Sequence, residues 1–428
     1  MYKIISNSLW LFSDRILKML IALVVGIWIV RYFGPEYFGK FNYVTACLTF
    51  SAACIPLGTE SILVSELVKK EKEAIVILST AFVLYIFSGI LFTSLSVVFV
   101  LLTKVNDNDI FNIVFILSIP FVLRGFTVPR LFFESQLLVK KIVIIENTIV
   151  LIFALIRVYL LYFEYPFLSF IWSFAFESIL SSLGIFLYFK LTEGRISPSK
   201  FSVTYAKEVV FVSFPLLLSA ITTILYMKVD QIMIGNIMGD KELGIYSVAV
   251  RISELWYFIP MAISTSFFPH LIKLYNENVE RYWFELKKLH VILFSISLIV
   301  ALSVQFFADL GVFILYGEEY SQAAKVLKIN IWAGLFVFLG VAGSNHLVIS
   351  KAQNILFYKG LFGLMTNLIL NYIMIPKFGL FGAAIATLIS QLFASSLFLI
   401  FRGSTFGLFL LQVETLKLWK WLSYFNRL

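Results

Sequence analysis

The sequence predicts an all-α membrane protein of about twelve transmembrane helices, arranged as two six-helix halves. Three observations carry that prediction. Hydrophobic residues fill 60% of the 428 positions and charged residues only 14%, against roughly half and a quarter in a typical soluble domain. The apolar residues come in continuous blocks long enough for a hydrocarbon core of roughly 30 Å, which takes about 20 helical residues. The chain also echoes itself. Residues 34–46 read GPEYFGKFNYVTA and residues 239–251 read GDKELGIYSVAVR, each with Gly, four residues, Gly, one residue and an aromatic. The offset of 205 residues is close to half the chain, and Pro56 and Pro260 follow at nearly the same spacing. Two halves in the same orientation fit this pattern, as in membrane folds built from parallel repeats. The competing reading is that Gly-rich turns between helices look alike by chance.

Strands fit poorly, because the apolar blocks lack period-two alternation. In lipid every backbone group needs a partner within its own segment, so the blocks are helices. They are expected near 9–31, 41–65, 74–102, 110–133, 142–163, 166–190, 209–237, 244–268, 288–310, 323–350, 354–375 and 379–402. The first run is longer than a secretory signal core and lacks a clean cleavage site, so it reads as a retained helix. The tail from Phe406 mixes Lys417, Lys420 and Arg427 with Trp419, Trp421 and Tyr424, which suits a helix lying in the membrane interface. The expected organisation is an N-terminal lobe over 1–195, a linker over 196–208, a C-terminal lobe over 209–402 and an amphipathic tail over 403–428.

Several chemistries are disfavoured. Cys47 and Cys54 are seven residues apart on one expected helix, about 10 Å and too far to bridge. His270, His290 and His346 are scattered without ligand-like spacing, which argues against a metal site. No cofactor motif is present. The net charge of +9 would suggest nucleic acid in a soluble protein. Here the charges fall mostly in loops, so topology explains them better. Placing the N-terminus in the cytoplasm gives inner segments roughly three times the Lys and Arg of outer ones, which puts both termini inside.

Ionisable residues within the blocks each cost roughly 2.5–3.5 kcal/mol at the bilayer centre, so they pair or line water. There are six acidic and six basic ones: Asp14, Arg15, Lys18, Glu60, Arg124, Glu146, Arg157, Glu177, Lys228, Asp230, Arg251 and Glu254. Counting outward from the hairpin at Asp240 and Lys241 puts Asp230 level with Arg251, and Lys228 nearly level with Glu254. Two cross-helix ion pairs follow as the expectation. The same count sets Glu60 level with Asp14 and Arg15. Such pairs serve equally to hold helices together. Arg15 and Lys18 face fewer acidic partners, and Arg124 has none at i±3 or i±4. Glu177 beside Trp172, with Asn367 and Asn371, suits a polar lumen or helix packing. A net-positive cavity does not follow from equal counts; it requires the acids to be turned away or protonated.

At these residues the sequence resembles the polysaccharide (O-antigen, Wzx-type) flippases of the multidrug/oligosaccharidyl-lipid/polysaccharide exporter superfamily. The resemblance rests on WLFSDRILKML (10–20), RYFGPEYFGKFNYVTA (31–46), the block 214–271 with its DQIMIG, GIYSVA and WYFIP strings, and IPKFGLFGAAIATLISQL (375–392). It implies two pseudo-symmetric six-helix lobes around a central cavity that opens alternately to each side. It implies an undecaprenyl-pyrophosphate-linked oligosaccharide as substrate, with Arg15, Lys18, Arg124 and Arg251 as headgroup candidates. Asp14, Asp230 and Glu254 are then candidates for ion coupling or for holding the cations, and Glu60, Glu177 and Lys228 for the same salt-bridge set. Implied surroundings are the bacterial inner membrane and its lipids, with a polymerase and chain-length regulator of the same pathway as partners. A multidrug exporter of the same superfamily would want acids in an aromatic pocket, which the mixed charges of the first and eighth helices fit less well. A membrane polysaccharide polymerase would carry a large outer loop, which is missing here.

Overall fold

The computed structural model describes residues 2–69, 73–105, 107–194, 196–401 and 403–417. Every regular element among them is helical. Contacts divide the chain into two compact units, Met1–Ile224 and Leu225–Leu428.

The first unit contains α1 (Tyr2–Cys54), α2 (Glu60–Lys69), α3 (Ala74–Thr103), α4 (Asn108–Val122), α5 (Pro129–Ser135), α6 (Val139–Tyr162), α7 (Phe167–Thr192) and the start of α8 (Val203–Ile237). The second holds the rest of α8, then α9 (Asp240–Leu255), α10 (Phe258–Glu277), α11 (Val279–Tyr316), α12 (Ser321–Asn330), α13 (Ala333–Ile349), α14 (Asn354–Ser395) and α15 (Gly403–Thr415).

Nine of these stretches are long and apolar enough to cross a membrane, ten if the bent pair α12–α13 is one span. Two of the longest are broken inside. Gly34 in α1 stands at φ 75°, ψ 178°, and Gly379 in α14 at φ 59°, ψ −138°. A residue with a Cβ rarely adopts such angles. Both breaks fall at the boundary between two expected helices, 9–31 and 41–65 in α1 and 354–375 and 379–402 in α14.

Several expected helices are interrupted. The expected 41–65 helix stops at Cys54 and restarts at Glu60, around Pro56. The expected 110–133 helix passes through a 3-10 turn, Leu123–Thr127, before Pro129 starts α5. Proline supplies no backbone N–H and is accommodated at a helix start. The expected 244–268 helix breaks between Leu255 and Phe258, and 323–350 bends by 45° between α12 and α13.

The expected linker 196–208 is pinned to the first unit. Ser197 N donates to Ser79 Oγ and Ser202 N to Thr80 Oγ1, both at 3.1 Å. The first turns of α8 follow: Val209 joins the core with Leu63, Leu67, Leu78 and Ile142, and Ser213 Oγ donates to the Leu57 carbonyl at 2.9 Å. In the second unit, α15 is docked rather than free. Leu408, Leu411, Gln412 and Thr415 are buried, and Leu408 joins the core of Leu286, Leu289 and Phe338. Trp419, Lys420, Trp421, Tyr424 and Arg427 lie outside the described residues.

Candidate functional site

In the first unit, α1 brings Asp14 and Lys18 onto one helix face, four residues apart. That is the favourable order for an acid and a lysine, and their atoms lie 2.9 Å apart. Lys18 Nζ also reaches Glu146 Oε2 on α6 at 2.5 Å. The other oxygen of Glu146 accepts from Arg130 Nη1 at 2.6 Å, and Arg130 Nε donates to Glu134 at 2.9 Å. Asp14, Lys18, Glu146, Arg130 and Glu134 therefore form one chain of ionic contacts across α1, α5 and α6.

Exposure within this chain is uneven. The side chains of Lys18 and Arg130 are 34% and 30% accessible, while those of Glu146 and Asp14 are only 8% and 10% accessible. Glu134, at 33%, is the accessible carboxylate. Arg15 is exposed and makes no ion pair among the described residues. Two of the carboxylates are thus turned inward behind cations that remain reachable. An accessible charge at membrane depth is stable only where water or a headgroup reaches it.

Glu60 and Arg124 lie nearby. The Tyr85 hydroxyl, 3.1 Å from Thr59 Oγ1, is within electrostatic reach of Glu60, Arg124 and Glu134. Glu60 is exposed and Arg124 half-buried; neither makes an ion pair among the described residues. Glu177 pairs with Arg157 at 2.6 Å, a contact close in distance but poorly aligned as a hydrogen bond. The Arg157 guanidinium also donates to Ser173 Oγ at 3.0 Å and lies 3.8 Å from the centre of the Phe174 ring. An open groove of about 500 Å³ runs further along α1 and α6, lined by Trp28, Arg31, Tyr32, Val158, Leu161 and Tyr162. It starts ten residues beyond Lys18, roughly 15 Å along the axis. Its lining is mainly apolar and suits a lipid chain rather than a polar headgroup.

The second unit is arranged differently. Lys228 Nζ lies 3.7 Å from Glu254, the pair expected from equal depth. Asp230 takes another partner than the expected Arg251: it accepts from the Tyr246 hydroxyl at 2.6 Å and from Gln231 N at 2.7 Å. Counting from the hairpin fixes depth but not the direction in which a side chain leaves its helix, and Tyr246 points where Asp230 is. Arg251 is half-buried, within electrostatic reach of Tyr316. Nearby, Asn371 Nδ2 donates to Asn367 Oδ1 at 2.9 Å, Asn367 Nδ2 to Ser390 Oγ at 3.2 Å, and Tyr226 to Ser390 at 3.5 Å. Both asparagines are buried, so here they serve helix packing.

Arg130 falls inside the expected 110–133 helix but outside the candidate set, and Glu134 is passed over. The signal present was their spacing of four beside Pro129, which starts a fresh helix. Sequence reasoning also overlooked Lys359 in α14, whose Nζ lies 3.4 Å from Ser344 Oγ.

The sequence matches the model of a family described as polysaccharide biosynthesis protein over residues 28–325. Capsular polysaccharide biosynthesis protein CapF of Staphylococcus aureus is 25% identical over 394 residues, covering 91% of this chain and 97% of that protein. A putative O-antigen transporter of Shigella flexneri is 23% identical over 406 residues, covering 90% and 94%. Among solved structures, a multidrug resistance MATE family transporter of the MOP superfamily, inward-facing, aligns with TM-score 0.74 at 17% identity over 94% of this chain and 96% of that one. Lipid II flippase MurJ, inward closed, aligns with TM-score 0.73 at 17% identity over 96% and 91%. The likeness to both shows a shared fold.

Proposed function

The chain belongs to the polysaccharide biosynthesis protein family, and from that premise we propose that it is a flippase for lipid-linked glycan. It is a multi-pass membrane transporter rather than an enzyme. Its substrate is an oligosaccharide repeat unit on undecaprenyl pyrophosphate, carried from the cytoplasmic to the outer face of the bacterial inner membrane for O-antigen or capsule assembly. Both termini are cytoplasmic, and transport proceeds by alternating access. A polymerase and a chain-length regulator of the same pathway take up the product.

The observation that carries this reading is the uneven exposure around Lys18. A sugar and a pyrophosphate cannot cross hydrocarbon and need a polar passage, while the polyprenyl tail stays in lipid. Arg15 and Lys18 offer accessible positive charge, with Asp14 and Glu146 buried behind it. That orientation answers the equal count of acids and bases, because what an incoming anion meets is not the sum. Arg124 and Arg251 are the further headgroup candidates. Arginine suits pyrophosphate through forked hydrogen bonds. The passage is coupled to an ion, for which Asp14, Asp230 and Glu254 are the candidate carboxylates. Glu60, Glu177 and Lys228 act with them, by coupling or by holding the cations.

The test is surface polysaccharide in a strain lacking this chain, with an assay of the lipid carrier. The expected result is loss of polymer and build-up of carrier-linked repeat units on the cytoplasmic face. Unchanged polymer together with new sensitivity to cationic dyes would overturn it in favour of a drug exporter.

A further inference from the structure

We propose that Arg130 contacts the pyrophosphate headgroup and sets the preference for a pyrophosphate over a monophosphate carrier, with Glu146 as its positioning residue. The inference rests on the flippase reading above, and it concerns a side chain that the headgroup candidates named there do not include.

Three observations support it. Arg130 spends two N–H groups on protein partners, Nε on Glu134 and one Nη1 hydrogen on Glu146. A guanidinium has five. The Nη2 group and the second Nη1 hydrogen have no partner among the described residues, and the side chain is 30% accessible. The unused edge of the fork is therefore the one left for a ligand. Second, Arg130 and Lys18 bind opposite oxygens of one carboxylate, at 2.6 and 2.5 Å. A single buried group holds two cations side by side. Third, the anchor is fixed: Glu146 is 6% exposed on the long helix α6, so the cations it orients are set before any ligand arrives. Preorganised charge of this kind loses little to reordering on binding.

Two adjacent cations match two linked anionic centres. Lys18 acts as a point charge and reaches one phosphate, while the planar guanidinium forks onto the other. A monophosphate engages one cation well and leaves the second without an anion. The preference for pyrophosphate thus resides in Arg130.

The experiment uses the full chain in lipid nanodiscs, with undecaprenyl pyrophosphate and undecaprenyl monophosphate as probes and inorganic pyrophosphate as competitor. Wild type binds the pyrophosphate more tightly, and inorganic pyrophosphate competes. Arg130→Lys keeps the charge and loses the fork. It weakens pyrophosphate binding about tenfold and monophosphate binding less than about twofold, and it abolishes competition. Arg130→Ala does the same or more. Lys141→Ala, which removes an exposed cation outside the network, leaves the preference at the wild-type ratio. A wild-type ratio in Arg130→Lys overturns the role of Arg130 and leaves the flippase reading intact. Wild-type protein that binds neither carrier overturns both.

Discussion

The two units begin from the same turn and then spend their polar residues differently. Gly34 and Gly239, aligned by the sequence echo, both adopt a positive φ with extended ψ: 75° and 178° in one, 102° and 178° in the other. The aligned helices that follow also break alike, after Cys54 and after Leu255, but their side chains diverge. Phe41, aligned with Tyr246, packs on Phe174 at 5.3 Å between ring centres, whereas Tyr246 donates its hydroxyl to Asp230. The first unit strings five charged side chains from Asp14 to Glu134. In the second unit Asp230 is held by neutral donors, the Tyr246 hydroxyl and Gln231 N, while Asn367, Asn371, Ser390 and Tyr226 form a separate polar network. The repeat reaches the backbone turn, where only glycine is comfortable. It does not reach charge placement.

The sharpest way to break this comparison is transport. Arg15→Ala and Arg251→Ala are expected to abolish polymer export while the protein inserts at normal level, with Lys restoring part of it. Normal export by both would remove these residues from the site. If only Arg15→Ala fails, the first unit alone carries the headgroup.

Stability comes next. Glu146→Ala leaves Lys18 and Arg130 without their shared, buried counter-charge. It is expected to cost about 3–5 kcal/mol, read as a lower unfolding temperature in detergent. Tyr246→Phe in the second unit removes one hydrogen bond to a charged group, about 1.5–3 kcal/mol. A larger loss for Tyr246→Phe than for Glu146→Ala would reverse the contrast between the units.

Gly34→Ala and Gly239→Ala should each cost about 1–3 kcal/mol. Their agreement is the point: a marked difference would mean that the two turns are not equivalent. The smallest effect is expected at Lys228→Met. Its contact with Glu254 is long, at 3.7 Å, and both side chains are partly accessible. The change should be under about 1 kcal/mol.

How much was legible follows from what each signal encodes. The long apolar blocks of α3, α6, α7 and α11 announce themselves, because a membrane span is a property of consecutive residues. Lys228 and Glu254 could be paired by counting, since a hairpin sets both at one depth. Asp230 could not, because its choice between Arg251 and Tyr246 is a matter of rotation about the helix axis. Arg130 lay within one expected helix, 110–133, because a hydropathy pattern is blind to the Leu123–Thr127 turn and Pro129, which end one helix and start another.

Residue order alone makes the chain helical, assigns it to a membrane, and puts charge there that needs a reason. Composition and run length decide those things, whatever the packing. Which carboxylates are buried and which cations stay accessible is settled by packing between helices. Lys18 and Glu146 are 128 residues apart in the chain, and their contact exists only because α1 and α6 lie together. Equal numbers of acids and bases need not present equal faces, because folding turns Asp14 and Glu146 inward while Lys18, Arg130 and Glu134 stay accessible.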